Sequence, residues 1–189
     1  MGAQAYTHLL TRTTSRVSYF YLTDIPQDYQ SLMFVLTGQC TTSSGGGDNT
    51  MYCGSNIEGV SGSAIYWNKG PYLIAGNSQE TVLTGVYNST SPSVGTIFNS
   101  MYMSVFNDVY NSVKIFAWDY ADANTTTTFT YEAGSIWFGT GTGGTNQQPA
   151  ISIAAAGNSS TEATTAVSIG PNGQWSSGMR LSVYGLGNS

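Results

Sequence analysis

The groups in this 189-residue chain best able to drive a reaction or hold a metal are few: one histidine, two cysteines and ten carboxylates. His8, the single histidine, sits among Tyr6, Thr7, Leu9 and Leu10 with no cysteine beside it. That setting suits a surface or contact role better than catalysis or metal binding, where ligands come in sets. A serine nucleophile would have to recruit this one imidazole. The nearest approach to a nucleophile elbow, Gly59-Val60-Ser61-Gly62, has the wrong spacing for the strand-turn-helix device that exposes such a serine.

Asp119, Asp122 and Asn124 offer several oxygens within one short stretch, the raw material for calcium or, with Glu132, for a carboxylate pair that cleaves glycosides. Calcium takes roughly 6–8 oxygens, usually from a Gly-containing, Glu-terminated loop, and that pattern is missing here. Asp119-Tyr120-Ala121-Asp122-Ala123-Asn124 follows a strongly β segment, so the expected role of these side chains is to cap a turn through bonds to the backbone. Cys40 and Cys53 flank a Gly-rich stretch, where a disulfide could staple two strands. With no sign of an oxidising compartment, free thiols are the expected state. The Asn-x-Ser/Thr sequons at Asn88, Asn124 and Asn158 arise readily in a chain this rich in Asn, Ser and Thr. The sequence therefore predicts no catalytic, cofactor-binding or metal-binding residues, and a protein that is not an enzyme.

The elements that must carry these residues read as strands. Segments 17–22 and 32–36 are β-branched, aromatic or continuously apolar, and further candidates lie at 64–67, 72–75, 96–105, 113–120, 126–131, 151–154, 166–169 and 179–184, each bounded by Gly, Asn, Pro or Ser. Met179, Leu181 and Val183 alternate with Arg180, Ser182 and Tyr184, the two-residue period of a strand with one inward face. Either Leu32, Phe34 and Leu36 or Met33 and Val35 should share that core. No apolar stripe at helical spacing persists, so helix is limited to a single turn near 26–30. The stretches 41–49 and 139–148 are Gly/Ser/Thr-rich and are expected to be long loops. The reading is all-β: one antiparallel, jelly-roll-like β-sandwich over 17–189, preceded by a short N-terminal arm, 1–16.

Composition narrows the partners. Charged residues make up 8% of the chain, against about 25% in an ordinary soluble domain, and the net charge is −5 with the basic residues scattered. A nucleic-acid partner is therefore not expected. No apolar run approaches the roughly 20 residues of a membrane span, and no basic-then-apolar secretion signal opens the chain. Thirteen Tyr, seven Phe and four Trp are a high aromatic content, whose expected duty in an all-β domain is cross-strand packing, most of it in core or subunit contact. Met101–Phe106 and Lys114–Trp118 are apolar or aromatic on both sides, so the second face needs a cover.

Tyr21-Leu22-Thr23-Asp24-Ile25-Pro26-Gln27-Asp28-Tyr29-Gln30-Ser31-Leu32, followed by an apolar strand, resembles the early segment of a family of small tailed-phage virion proteins. The ending from Trp175 to Ser189 resembles that family's closing pattern: a Gly-Ser pair, an apolar strand, then Leu-Tyr-Gly-Ile. Here the pair reads Gly178-Met179 and the tetrapeptide reads Val183-Tyr184-Gly185-Leu186. Asn99 through Tyr120 resembles the family's paired strands, with 121–128 as their Thr/Asn-rich connection.

The resemblance implies a structural component of the virion, with no catalytic residues to transfer. The leading expectation is a capsid decoration or cement protein, a homo-oligomer with a trimer favoured, bound to the major capsid protein or other virion proteins. The alternative is a receptor- or glycan-binding tail-fibre module using aromatics such as Trp67, Tyr72 or Trp137. A glycan-cleaving enzyme built on Asp119, Asp122 and Glu132 ranks behind both.

Overall fold

A computed structural model describes residues 6–14, 19–41, 49–56, 68–74, 81–87, 96–103, 110–125, 127–138, 147–157, 161–171, 174–175 and 178–187. Among these residues every regular element is a strand: β1 (Tyr6–Thr13), β2 (Phe20–Leu22), β3 (Ser31–Gly38), β4 (Cys40–Thr41), β5 (Asn49–Ser55), β6 (Asn68–Ile74), β7 (Thr81–Tyr87), β8 (Thr96–Met103), β9 (Asn111–Trp118), β10 (Thr128–Phe138), β11 (Gln147–Gly157), β12 (Val167–Pro171), β13 (Gln174–Trp175) and β14 (Arg180–Leu186). They form an eight-stranded sheet in the order β1-β14-β3-β9-β10-β11-β6-β7, a four-stranded sheet β2-β12-β5-β8, and the pair β13-β4. All pairings are antiparallel.

The core follows from the two-residue period. On β9 the sequence Asn-Ser-Val-Lys-Ile-Phe-Ala-Trp buries every other residue, so Val113, Ile115 and Ala117 point inward. Register carries that face across the sheet: Leu32, Phe34 and Leu36 lie opposite Ala117, Ile115 and Val113, and Leu181 and Val183 lie opposite Leu36 and Phe34. Phe129 lies opposite Ala117 and Tyr131 opposite Ile115. In one of these rows the small Ala117 sits between Leu32 and Phe129, which leaves room for the phenyl ring at interior packing density. From the four-stranded sheet Phe20, Leu22, Val167, Ile169 and Cys53 join the same buried cluster. Each fully buried Leu or Phe contributes about 1.5–3 kcal/mol relative to an exposed one.

β3 is apolar on both faces, and the structure selects between its two sets: Leu32, Phe34 and Leu36 are buried, while Met33 and Val35 are half-buried on the outer side. The strand stops at Gly38, whose φ of 144° lies outside the range of most L-residues. A Cβ there would also approach the Met179 backbone Cα to 2.9 Å.

Several elements differ from the sequence reading. Residues 6–13 of the expected arm form β1, hydrogen-bonded along β14. The stretch 26–30 is a series of bends with no helical turn. β4, β5, β7 and β13 fall where no strand was expected; β4 and β5 take the two ends of the first predicted loop, and β11 takes the far end of the second. Their remaining portions, 42–48 and 139–146, lie outside the described residues, as does the expected strand at 64–67.

Candidate functional site

The Asp119–Thr125 turn joins β9 to β10, and it is shaped by the Asp119 backbone and the Asp122 carboxylate. Asp119 takes a left-handed φ of 52°, a conformation Asp and Asn tolerate better than most residues. Its carbonyl accepts from Asp122 N–H at 3.2 Å. Asp122 Oδ1 accepts from the Asn124 backbone N–H at 2.8 Å and from Asn124 Nδ2 at 3.1 Å. The Asn124 backbone bond, followed by bonds from the Asn124 and Thr125 side chains, holds the Asp122 carboxyl below the usual range. Glu132 does not join this group. It stands on β10 opposite Lys114, with Lys114 Nζ 3.9 Å from its Oε2. Four residues along an extended strand separate it from Thr128, roughly 13 Å. No group of three or more His, Cys, Asp or Glu side chains with metal-binding spacing occurs among the described residues.

His8 is exposed on β1. Its Nε2 lies 2.8 Å from Thr11 Oγ1, and its ring packs edge-on against Tyr184 at 5.4 Å. Cys53 is a free thiol in the core, and burial pushes its pKa up, which leaves it protonated and unreactive. Cys40 pairs with Trp175 in the small sheet. The Gly59–Gly62 stretch, Asn88, Asn158 and Trp67 lie outside the described residues; Tyr72 and Trp137 occupy β6 and β10 opposite Ser152 and Gln148.

Two junctions escape sequence reasoning. In the first, the early segment and the closing tetrapeptide meet. A Cβ on Gly185 would fall inside the Tyr29 ring, so only glycine lets that ring lie on the β14 backbone. Beside it Tyr120, fully buried, donates its hydroxyl hydrogen to the Pro26 carbonyl. Burial pushes the Tyr120 phenol up to about 12, nearby Asp28 and Tyr29 act in the same direction, and a bond from the Tyr29 N–H opposes them.

The second junction ties β5 to the segment before β12. Asn56, at a left-handed φ of 55°, accepts from Thr165 N–H at 2.8 Å and Ala166 N–H at 3.1 Å, and donates to the Ala163 carbonyl at 2.9 Å. Next to it the buried hydroxyls of Ser55, Thr164 and Thr127 form a chain with links of 2.9 and 3.3 Å. Asp24, Pro26 and Asn56 are residue types common in turns, but what these segments dock onto depends on residues far away in sequence.

The outer side of β14, β3, β9 and β10 presents a surface of aromatic and apolar side chains among the described residues. Tyr184, Met33, Phe116 and Thr130 lie in one cross-strand row. Val35, Lys114 and Glu132 form the next row. Trp118, 41% exposed, stacks on Phe116 with centroids 5.5 Å apart and donates from Nε1 to Thr130 Oγ1 at 3.0 Å. The arrangement can bind by shape and apolar contact. Compared with protein-family models, with curated proteins and with solved structures, the chain matches none.

Proposed function

We propose that this chain is a non-catalytic structural component of a tailed-phage particle, a decoration or cement protein that associates with itself and binds the major capsid protein of the shell. The fold inferred for it is a jelly-roll-like sandwich of the two larger sheets, an architecture used in viral shells. The buried cluster common to both sheets supports that inference.

The observation that carries the reading is the outer face of Tyr184, Met33, Val35, Phe116 and Trp118, a contiguous apolar and aromatic surface of the kind that marks a protein contact. The family resemblance supplies the virion, and two of the segments that carry it, Tyr21–Leu32 and Val183–Leu186, are in contact through Tyr29 and Gly185. A second reading, a glycan- or receptor-binding tail module, draws on the stacked Phe116–Trp118 pair, since exposed aromatic rings are common sugar platforms.

Immunogold labelling of particles produced from the genome that encodes the chain tests both. Gold over the head is the expected result, gold confined to fibre tips selects the tail module, and unlabelled particles overturn the virion assignment.

A further inference from the structure

The outward positions of β9 and β10 are complementary to each other in size and charge. β9 presents Ser112, Lys114, Phe116 and Trp118, and β10 answers in register with Gly134, Glu132, Thr130 and Thr128. The rings of Phe116 and Trp118 stand on one strand, and the shorter Thr130 and Thr128 stand opposite them on the next. The cation and the anion also stand across from each other, with side chains 50% and 57% exposed. We propose that this face is a two-fold interface between two copies of the chain, stacked sheet on sheet about an axis that runs parallel to the strands between β9 and β10.

Such an axis exchanges the two strands. It sets Phe116 over the partner's Thr130, Trp118 over the partner's Thr128 and Lys114 over the partner's Glu132, each contact occurring twice. Rings thus meet short side chains, as interdigitating layers about 10 Å apart require. Lys114 gains a second carboxylate, and no like charges face one another across the axis among these positions. Because the axis is parallel to the strands, the two sheets stack in the aligned mode, rotated only by their own twist. The same patch serves both copies, the definition of an isologous contact. A three-fold ring would use a different, head-to-tail surface and is compatible with this one. The dimer deepens the reading above, on which it rests for the outer face as a contact surface, by naming a second copy of the chain as its occupant; it forms or fails in solution whether or not the chain is found in a particle.

Sedimentation of the full-length chain over a range of concentrations tests it. The wild type is expected to form a reversible dimer. Lys114→Glu sets carboxylate against carboxylate on both sides of the axis and Glu132→Lys sets ammonium against ammonium; each should weaken the dimer by at least about tenfold. The double variant Lys114→Glu/Glu132→Lys should recover wild-type affinity, because it restores opposite charges in reversed order. Thr130→Arg fills the position that receives the ring and should abolish the dimer, while an unchanged melting temperature reports an intact fold. A wild-type chain that stays monomeric, a double variant that fails to recover, or an oligomer indifferent to Thr130→Arg each overturns the proposal.

Discussion

On β9 the inward residues Asn111, Val113, Ile115 and Ala117 are buried, whereas outward Ser112, Lys114 and Trp118 are exposed and Phe116 is half-covered. β3 divides the same way, with Leu32, Phe34 and Leu36 inside and Met33 and Val35 outside. The outer set, though it includes Ser112 and Lys114, still carries the large apolar side chains of Met33, Val35, Phe116 and Trp118. What separates them is packing: Phe20, Leu22, Val167 and Ile169 belong to the same buried cluster as the inner set, and the outer side chains of the same strands retain contact with water. Hydrophobic character therefore fixes that a residue seeks cover, and the neighbouring sheet decides which side obtains it.

Substitutions on the two faces should separate sharply. Phe34→Ala, at the centre of the inner row and fully buried, is expected to cost about 3–5 kcal/mol, the sum of lost transfer energy and a cavity, read from denaturant unfolding. If it costs no more than an outer substitution, the division of faces is wrong. Gly185→Ala forces a Cβ into the Tyr29 ring and should cost about 1–3 kcal/mol by overpacking. The companion change Tyr29→Ala should relieve most of that loss if the ring is the obstacle.

Tyr120→Phe removes the bond to the Pro26 carbonyl and should cost about 1–3 kcal/mol at neutral pH by leaving that carbonyl unpaired. It carries a pH signature as well. Folding raises the phenol from its ordinary value near 10 to about 12, so the stabilisation is complete below pH about 10 and is lost as pH rises through 12. Wild type should lose stability more steeply than the variant across that window. Phe116→Ser, on the outer face, should change the stability of the monomer by under about 1 kcal/mol. A loss as large as that of Phe34→Ala would mean that the outer face is a second core.

The smallest effect is expected in the turn. Asp122 is fully exposed and its carboxyl is held low by Asn124. Its contribution is present above the unfolded value near pH 4 and fades as pH falls through the lower folded value. Asp122→Asn should flatten acid unfolding slightly and leave stability at pH 7 close to unchanged, as a pH series of thermal melts would reveal.

The sequence by itself determined what local chemistry can encode. β-branched and aromatic runs made the strands of β3, β9, β12 and β14 legible, the alternation from Met179 to Tyr184 identified an inward Leu181 and Val183, and the Asp/Asn spacing after Trp118 marked a turn. Only the tertiary structure decided that β1 completes the sheet beside β14, since its apolar content is confined to Leu9 and Leu10 and its pairing partner lies at the other end of the chain. The same holds for the choice between the two apolar faces of β3, the seat of Tyr29 on Gly185 and the hydroxyl chain through Thr164. A period of two shows that a strand has two faces. It cannot show which face another sheet will cover, because that depends on contacts between residues far apart in sequence.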